Sequence, residues 1–161
     1  MSVYTIKTMR SAPTETPAPP QPQGCTNLKL RMLGRRVAAV YDAEVGQTGL
    51  KGTQYSLLSH VVRLGPVPGG ELARLMSLSP SSLSRSLRPL IEAGWVRLGT
   101  GADERTRPVE ATEAGRAKRA EAQRRWRVAQ EAINRRLGPE RVIALHALLD
   151  EAMACLDDTP G

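Results

Sequence analysis

The fold of this chain is decided by the stretch Gly69-Gly-Glu-Leu-Ala-Arg-Leu-Met-Ser-Leu-Ser-Pro-Ser-Ser-Leu-Ser-Arg-Ser-Leu-Arg-Pro-Leu-Ile-Glu-Ala-Gly-Trp-Val96. It predicts two short helices joined by a tight turn and followed by a strand. Ser79 suits a helix N-cap, and Pro80 suits the first helical position, where its missing N–H costs nothing. The second helix should run to about Ala93 and end at Gly94.

The second helix has a distinct apolar face and a distinct polar face. Three leucines recur at helical spacing and should face a core; they are Leu83, Leu87 and Leu90. Short hydroxyls allow a helix to lie close to DNA, and arginines reach phosphates or guanine edges. The side chains with these properties are Ser81, Ser82, Ser84, Arg85 and Arg88. The alternative is an ordinary surface helix whose first serines serve only as caps.

A charged hairpin follows this helix and favours the DNA-binding interpretation. Trp95–Leu98 and Pro108–Ala111 predict two strands, with a flexible charged loop between them. A cationic hairpin beside a recognition helix can place an arginine in the adjacent minor groove. The loop residues of interest are Asp103, Arg105 and Arg107. A solvated hairpin tip is the alternative.

The flanking sequence predicts long helices. Apolar residues recur at helical spacing over 28–45, Thr112 suits the N-cap of a helix that ends at Leu137, and Pro139 opens the last helix. The predicted class is mainly α with a small β-wing (α+β). We expect a disordered proline-rich tail (1–24), a helical dimerisation region (25–45 and 113–157) and a winged helix-turn-helix lobe (46–112).

Composition restricts the classes of function. The chain has 161 residues, a net charge of +7 and a pI near 10.1, which favour a polyanionic partner. Two cysteines suit a reducing cytosol and imply no zinc cluster, and no apolar run suits a membrane span or a signal peptide. Aromatic residues make up 3%, too few for stacking single-stranded nucleic acid. No catalytic set is visible, so we expect no enzyme, cofactor or metal.

The order and spacing of three short motifs resemble the MarR family of bacterial transcription regulators. These motifs are Gly94-Trp-Val, Asp103-Glu-Arg105 and Val109-Glu-Ala-Thr-Glu-Ala-Gly115. In that family a Gly-Leu-[Ile/Val] step precedes the wing, an Asp-x-Arg pair lies at its tip, and a Leu-Thr-x-x-Gly step opens the next helix. Here Trp95 and Ala111 replace the two leucines.

The resemblance implies a homodimeric, cytoplasmic repressor that binds a pseudo-palindromic site on double-stranded DNA. It implies that Ser82, Ser84 and Arg85 meet the major groove, that Arg105 enters the minor groove and that Asp103 holds Arg105. The helix stripes also predict a buried dimer seam, with an intramolecular core as the alternative. The expected seam residues are Trp126, Ile133, Leu137, Leu145, Leu149 and Met153.

The resemblance also implies a small effector, such as an aromatic acid, bound between the dimer helices and the winged lobe. Arginine would pair with its carboxylate, and tyrosine would stack or hydrogen-bond. The candidate residues are Arg31, Arg35, Tyr41, Tyr55, His60 and Arg63.

Two alternatives remain open from the sequence. A thiol near a helix N-terminus can be reactive, so Cys25 is a candidate peroxide sensor, with an inert cysteine as the default. Peroxide sensors of the OhrR type, a branch of the same family, pair such a cysteine with a tyrosine like Tyr41, although their cysteine aligns with Asn27. The second alternative is a winged-helix module that binds proteins and not DNA.

Overall fold

The computed structural model describes residues 23–101, 103 and 105–157 as six α-helices and three short strands. In chain order these are α1 (Thr26–Val45), α2 (Gly52–Leu64), β1 (Val67–Pro68), α3 (Gly69–Leu75), α4 (Pro80–Glu92), β2 (Val96–Leu98), β3 (Pro108–Ala111), α5 (Glu113–Leu137) and α6 (Pro139–Asp157). The fold class predicted from the sequence is confirmed. Nearly all of the predicted disordered tail, residues 1–22, lies outside the described residues.

Helix α4 begins and ends where local chemistry predicts. The Ser79 hydroxyl oxygen accepts the backbone N–H of Ser82 at 3.2 Å, and Pro80 occupies the first helical position. Gly94 follows the helix with a φ of 72°, a left-handed conformation that glycine adopts without strain. The hydroxyl of Ser79 therefore satisfies a backbone donor that the first turn of α4 cannot satisfy within the helix.

The three strands form one antiparallel sheet in the order β1-β3-β2. Val109 of β3 lies opposite both Val67 of β1 and Leu98 of β2, and Val96 lies opposite Ala111. The short strand β1 thereby ties the chain before α3 to the base of the β2–β3 hairpin.

Leucine and valine side chains from the helices and the sheet form the core of the winged lobe. Leu83, Leu87 and Leu90 of α4 are all buried, as their spacing predicted. The largest fully buried side chains are Leu50, Leu57, Leu58, Leu72, Leu90, Val45, Val61, Val96 and Val109.

Helix α5 begins directly against the sheet. The Thr112 hydroxyl donates to the Gly94 carbonyl oxygen at 2.7 Å and accepts the backbone N–H of Gly115 at 3.0 Å. A methyl group at position 115 would overlap the carbonyl oxygen of Trp95. The Thr-x-x-Gly step is therefore a steric requirement of this junction as well as a helix cap.

Helices α1 and α5 lie along each other, whereas α6 contributes little to the core. Val142 is the buried residue of α6, and 63% of Leu148 and 76% of Leu156 are exposed. Apolar side chains on α1 are also exposed, among them Leu28 and Leu30. This chain alone therefore leaves apolar helix surface in contact with water.

Trp126 corrects one part of the predicted dimer seam. Its ring stacks on Tyr41 with centroids 6.1 Å apart and lies against Tyr55 at 6.3 Å. It packs against the core of its own chain, because the face of α5 that carries it points toward α1 and α2.

Among the described helices, none is both long enough and apolar enough to cross a lipid bilayer.

Candidate functional site

The outward face of α4 presents hydroxyl and guanidinium groups. Ser84, Arg85 and Arg88 are exposed, and none of them forms a hydrogen bond or ion pair with another described residue. Ser81 and Ser82 differ, because their hydroxyls lie 3.1 Å and 2.9 Å from Ser79 Oγ. The helix cap thus engages Ser81 and Ser82, while the side chains of Ser84, Arg85 and Arg88 are available to a partner.

The tip of the β2–β3 hairpin is ordered by Asp103 and Thr106. Asp103 Oδ1 accepts the Thr106 backbone N–H at 2.8 Å and the Thr106 hydroxyl at 2.9 Å. These hydrogen bonds hold the pKa of the Asp103 carboxyl below its usual value, with smaller contributions from the backbone N–H and the positive charge of Arg105. The closest partners of Asp103 thus belong to Thr106, and the expectation that Asp103 holds Arg105 in place stays a prediction.

Arg105 is positioned by α3. Its carbonyl oxygen accepts the backbone N–H of Gly70 at 2.9 Å, and the Arg107 carbonyl oxygen accepts that of Gly69 at 3.1 Å. A methyl group at position 70 would lie 2.7 Å from Arg105 Cγ. The absence of a side chain at Gly70 therefore lets the stem of Arg105 lie across the start of the helix-turn-helix.

The cations around the hairpin differ in how far their charge is neutralised. Arg97 donates two hydrogen bonds to Glu110 Oε2 across the strands, at 2.6 Å and 2.9 Å. Arg105 and Arg107 have no ion pair among the described residues. Arg74 of α3 is also exposed and has no ion pair within that part of the chain. Sequence reasoning missed Arg74, because only the fold brings it beside Arg105.

A cavity of about 410 Å³ lies between α3, α4 and the hairpin. Its walls are mainly apolar, and Arg74, Ser84 and Arg105 lie at its edge. The fold therefore brings the cationic hairpin and the polar face of α4 to the same side of the lobe, as the DNA-binding hypothesis requires. Among the predicted DNA-binding residues, Ser84 and Arg105 share this cavity.

A second cavity, of about 440 Å³, lies between α1, α2 and α5. Three of the predicted ligand-binding residues line it: Tyr41, Tyr55 and His60. The Tyr41 hydroxyl donates to Gln130 Oε1 at 2.5 Å, and partial burial raises the pKa of Tyr41. This cavity lies between the long helices and the winged lobe.

The three arginines predicted to line the same cavity do not line it. Arg31, Arg35 and Arg63 are all exposed. On α1, Arg35 lies about 120° around the helix from Tyr41, and Arg31 lies about 80° away and roughly 15 Å further along the axis. Arg63 belongs to the last turn of α2, beyond His60. Helical phase and distance therefore separate these charges from the cavity.

Cys25 lies at the start of α1, two residues before the position that aligns with the sensor cysteine, and Tyr41 lies far from it. It is an exposed free thiol at the N-cap of α1, with no capping hydrogen bond from its side chain. Tyr41 lies sixteen residues along the same helix, which corresponds to about 24 Å of helical rise. The two side chains therefore do not meet within one chain.

One protein-family model matches part of this chain. Residues 48–106 match the model of the MarR family. This segment runs from the end of the turn after α1 to the tip of the hairpin, and it contains the whole helix-turn-helix. A search of curated protein sequences finds no match to the chain.

Solved structures extend the likeness to the flanking helices. The transcriptional regulator MosR of M. tuberculosis, solved in complex with DNA, is 29% identical, with 82% of this chain and 98% of that chain covered and a TM-score of 0.68. A MarR family regulator of Rhodococcus sp. RHA1 is 25% identical over 79% of this chain and 92% of its own, with a TM-score of 0.66. A MarR family protein of Mycobacterium tuberculosis in complex with salicylic acid shares the fold at 23% identity, covering 81% of this chain and 97% of its own, with a TM-score of 0.61.

Proposed function

Because the chain belongs to the MarR family of bacterial transcription regulators, we propose that it is a homodimeric, sequence-specific DNA-binding repressor. The observation that carries the proposal is the juxtaposition of the exposed face of α4 with Arg105 on the hairpin. A helix that bears serines and arginines is, by itself, equally typical of an ordinary solvated surface. A helix and an unpaired cationic hairpin on one side of a lobe match the two grooves of duplex DNA.

The proposed contacts follow from exposure and charge. Ser84, Arg85 and Arg88 would meet the major groove, with Ser81 and Ser82 at the first turn beside the phosphates. Arg105 would enter the minor groove, and Arg107 would contact the backbone. Asp103 would act by ordering the turn that carries Arg105. The net charge of +7 supports binding to a polyanion.

Dimerisation is proposed from the uncovered apolar surface of α1 and α6. A second copy of the chain would cover Leu148, Leu156 and the exposed leucines of α1. Two copies of α4 about 34–36 Å apart would then contact half-sites one helical turn apart, so the operator would be a pseudo-palindrome. Such a dimer would act in the cytoplasm as a regulator without catalytic activity.

An effector would act through the α1–α2–α5 cavity. This cavity lies where the long helices meet the winged lobe, so its occupancy would bias the spacing of the two recognition helices. A ligand can shift that equilibrium only by its difference in affinity for the DNA-competent and DNA-incompetent forms. The salicylate-bound structure of a protein with the same fold supports regulation of this kind.

Selection of binding sites from random duplexes tests the proposal. We expect a pseudo-palindromic sequence, and Arg105→Ala should weaken binding to it by about 1–3 kcal/mol. Arg127→Ala is the matched control, because Arg127 is an exposed arginine on α5, far along the chain from the hairpin. Selection of no common sequence, or equal effects of the two substitutions, would contradict the proposal.

A further inference from the structure

We propose that the α1–α2–α5 cavity binds a planar aromatic ligand that carries a positive charge, and that it discriminates against carboxylates. The inference rests on the proposed function only for the claim that this ligand is an effector. It departs from the aromatic acid that the family resemblance implies. The departure follows from the side chains that line the cavity.

The walls of the cavity are aromatic. The rings of Tyr41 and Trp126 are stacked, with 28° between their planes, and the Tyr55 ring is tilted against Trp126 at 33°. All three residues line the cavity. The faces of aromatic rings attract cations within about 6 Å, and they also stack on flat ligands. The walls therefore suit a flat ligand and favour a positive charge on it.

The charge of the lining is negative. Asp42 lines the cavity, whereas no lysine or arginine does so among the described residues. Asp42 Oδ1 accepts the backbone N–H of Gly52 at 2.7 Å, and no cation of the described chain lies within ion-pair distance of this carboxylate. The neighbouring Arg125 is paired with Glu44. Asp42 is exposed, and a bound carboxylate would face it without a lysine or arginine of the lining as counter-charge, which is unfavourable.

Two further polar side chains line the cavity, His60 and Ser59. His60 Nδ1 lies 2.8 Å from the Ser56 carbonyl oxygen, which can only accept, so Nδ1 carries the hydrogen. Ser59 also lines the cavity, and its buried Oγ has no hydrogen-bond partner within the described part of the chain. An ammonium group of the ligand can donate to this hydroxyl.

Three probes of similar shape and different charge test the inference by isothermal titration calorimetry on the full chain. They are 1-naphthylmethylammonium, 1-naphthylmethanol and 1-naphthoate. We expect the cation to bind at least tenfold more tightly than the carboxylate, with the alcohol between them. Equal or tighter binding of 1-naphthoate, or binding of none of the three, would overturn the inference.

The Asp42→Asn substitution identifies the source of the selectivity. Asparagine keeps an oxygen acceptor for the Gly52 N–H, so the fold is retained, while the preference for the cation should fall to about threefold or less. Glu92→Gln is the matched control, because it removes one exposed carboxylate that does not line the cavity. An unchanged preference in Asp42→Asn would also overturn the inference.

The DNA-binding proposal is tested separately, on the same protein without probe. A chain that binds its selected duplex but prefers 1-naphthoate refutes the ligand inference alone. A chain that prefers the cation but binds no duplex refutes the proposed function alone.

Discussion

The backbone N–H of Gly70 donates to the carbonyl oxygen of Arg105 at 2.9 Å, and no side chain at position 70 separates the two backbones. This hydrogen bond joins the start of α3 to the tip of the hairpin. It fixes the position of Arg105 relative to the helix-turn-helix without an ion pair. The angle between the two elements proposed to contact DNA therefore depends on a glycine, which has no side chain that could contact DNA itself.

Replacing Gly70 with alanine should weaken DNA binding. The added methyl group would lie 2.7 Å from Arg105 Cγ and 3.4 Å from its carbonyl oxygen, so the arginine must move. We expect a loss of up to about 1–3 kcal/mol, the value for losing the Arg105 contact itself. Fluorescence anisotropy with a labelled duplex measures it. Gly34→Ala is the control, since no neighbouring atom of the described residues lies within 4 Å of a methyl group there. Equal affinity of the two variants for the duplex would contradict the role of Gly70 in positioning Arg105.

Replacing Gly115 with alanine should destabilise the fold. The methyl group would overlap the Trp95 carbonyl oxygen. The backbones of residues 95 and 115 are both held in place by the sheet and α5, so neither can move away easily. Overpacking of this kind typically costs about 1–3 kcal/mol and occasionally more. Urea denaturation of this variant and of Gly34→Ala gives the comparison. A midpoint no lower than that of the wild type would show that the junction relaxes freely.

The Asp103 carboxyl should titrate at a lower pH than an ordinary aspartate. Hydrogen bonds from Thr106 favour its ionised form, so its pKa is lowered in the folded protein. Its contribution to the hairpin turn is therefore present above the unfolded-state pKa and is lost as the pH falls through the folded-state pKa. Thr106→Val removes the hydroxyl donor and should raise the pKa of Asp103, as followed by carbon-13 NMR of the carboxyl group. An identical titration curve in both proteins would contradict the assigned cause.

Replacing Leu148 with glutamate should give monomers. In a single chain 63% of Leu148 is exposed, so a charge there costs the monomer little, whereas it would be buried in the proposed dimer. Analytical ultracentrifugation should show half the wild-type mass, and affinity for the selected duplex should fall together with it. His146→Glu is the control, since exposed His146 lies about 200° around α6 from Leu148. A dimeric Leu148→Glu protein would place the interface elsewhere.

Sequence reasoning predicted the elements of the winged lobe because their signals are local. Ser79 and Pro80 start α4, Gly94 ends it, and Thr112 caps α5; each acts on backbone within a few residues. The spacing of Leu83, Leu87 and Leu90 also depends on one helix alone. These predictions are confirmed because no distant contact opposes them.

The parts that sequence reasoning missed depend on which surfaces meet. An apolar stripe predicts that Trp126 is buried, but not whether its neighbours are Tyr41 and Tyr55 or a second chain. The arginines of α1 are on the same helix as Tyr41, which lines the α1–α2–α5 cavity, but helical phase directs their side chains elsewhere. The acidic lining of the α1–α2–α5 cavity arises only when Asp42 is brought against α2.

The dependence of duplex affinity on salt concentration tests the central claim most directly. If α4 and the hairpin neutralise phosphates, the logarithm of the affinity should fall steeply and linearly with the logarithm of salt concentration, because binding releases counterions. Arg105→Ala should make that slope shallower, whereas Arg127→Ala should leave it unchanged. An affinity that is flat between low and moderate salt would contradict the account and favour a winged-helix module that binds proteins.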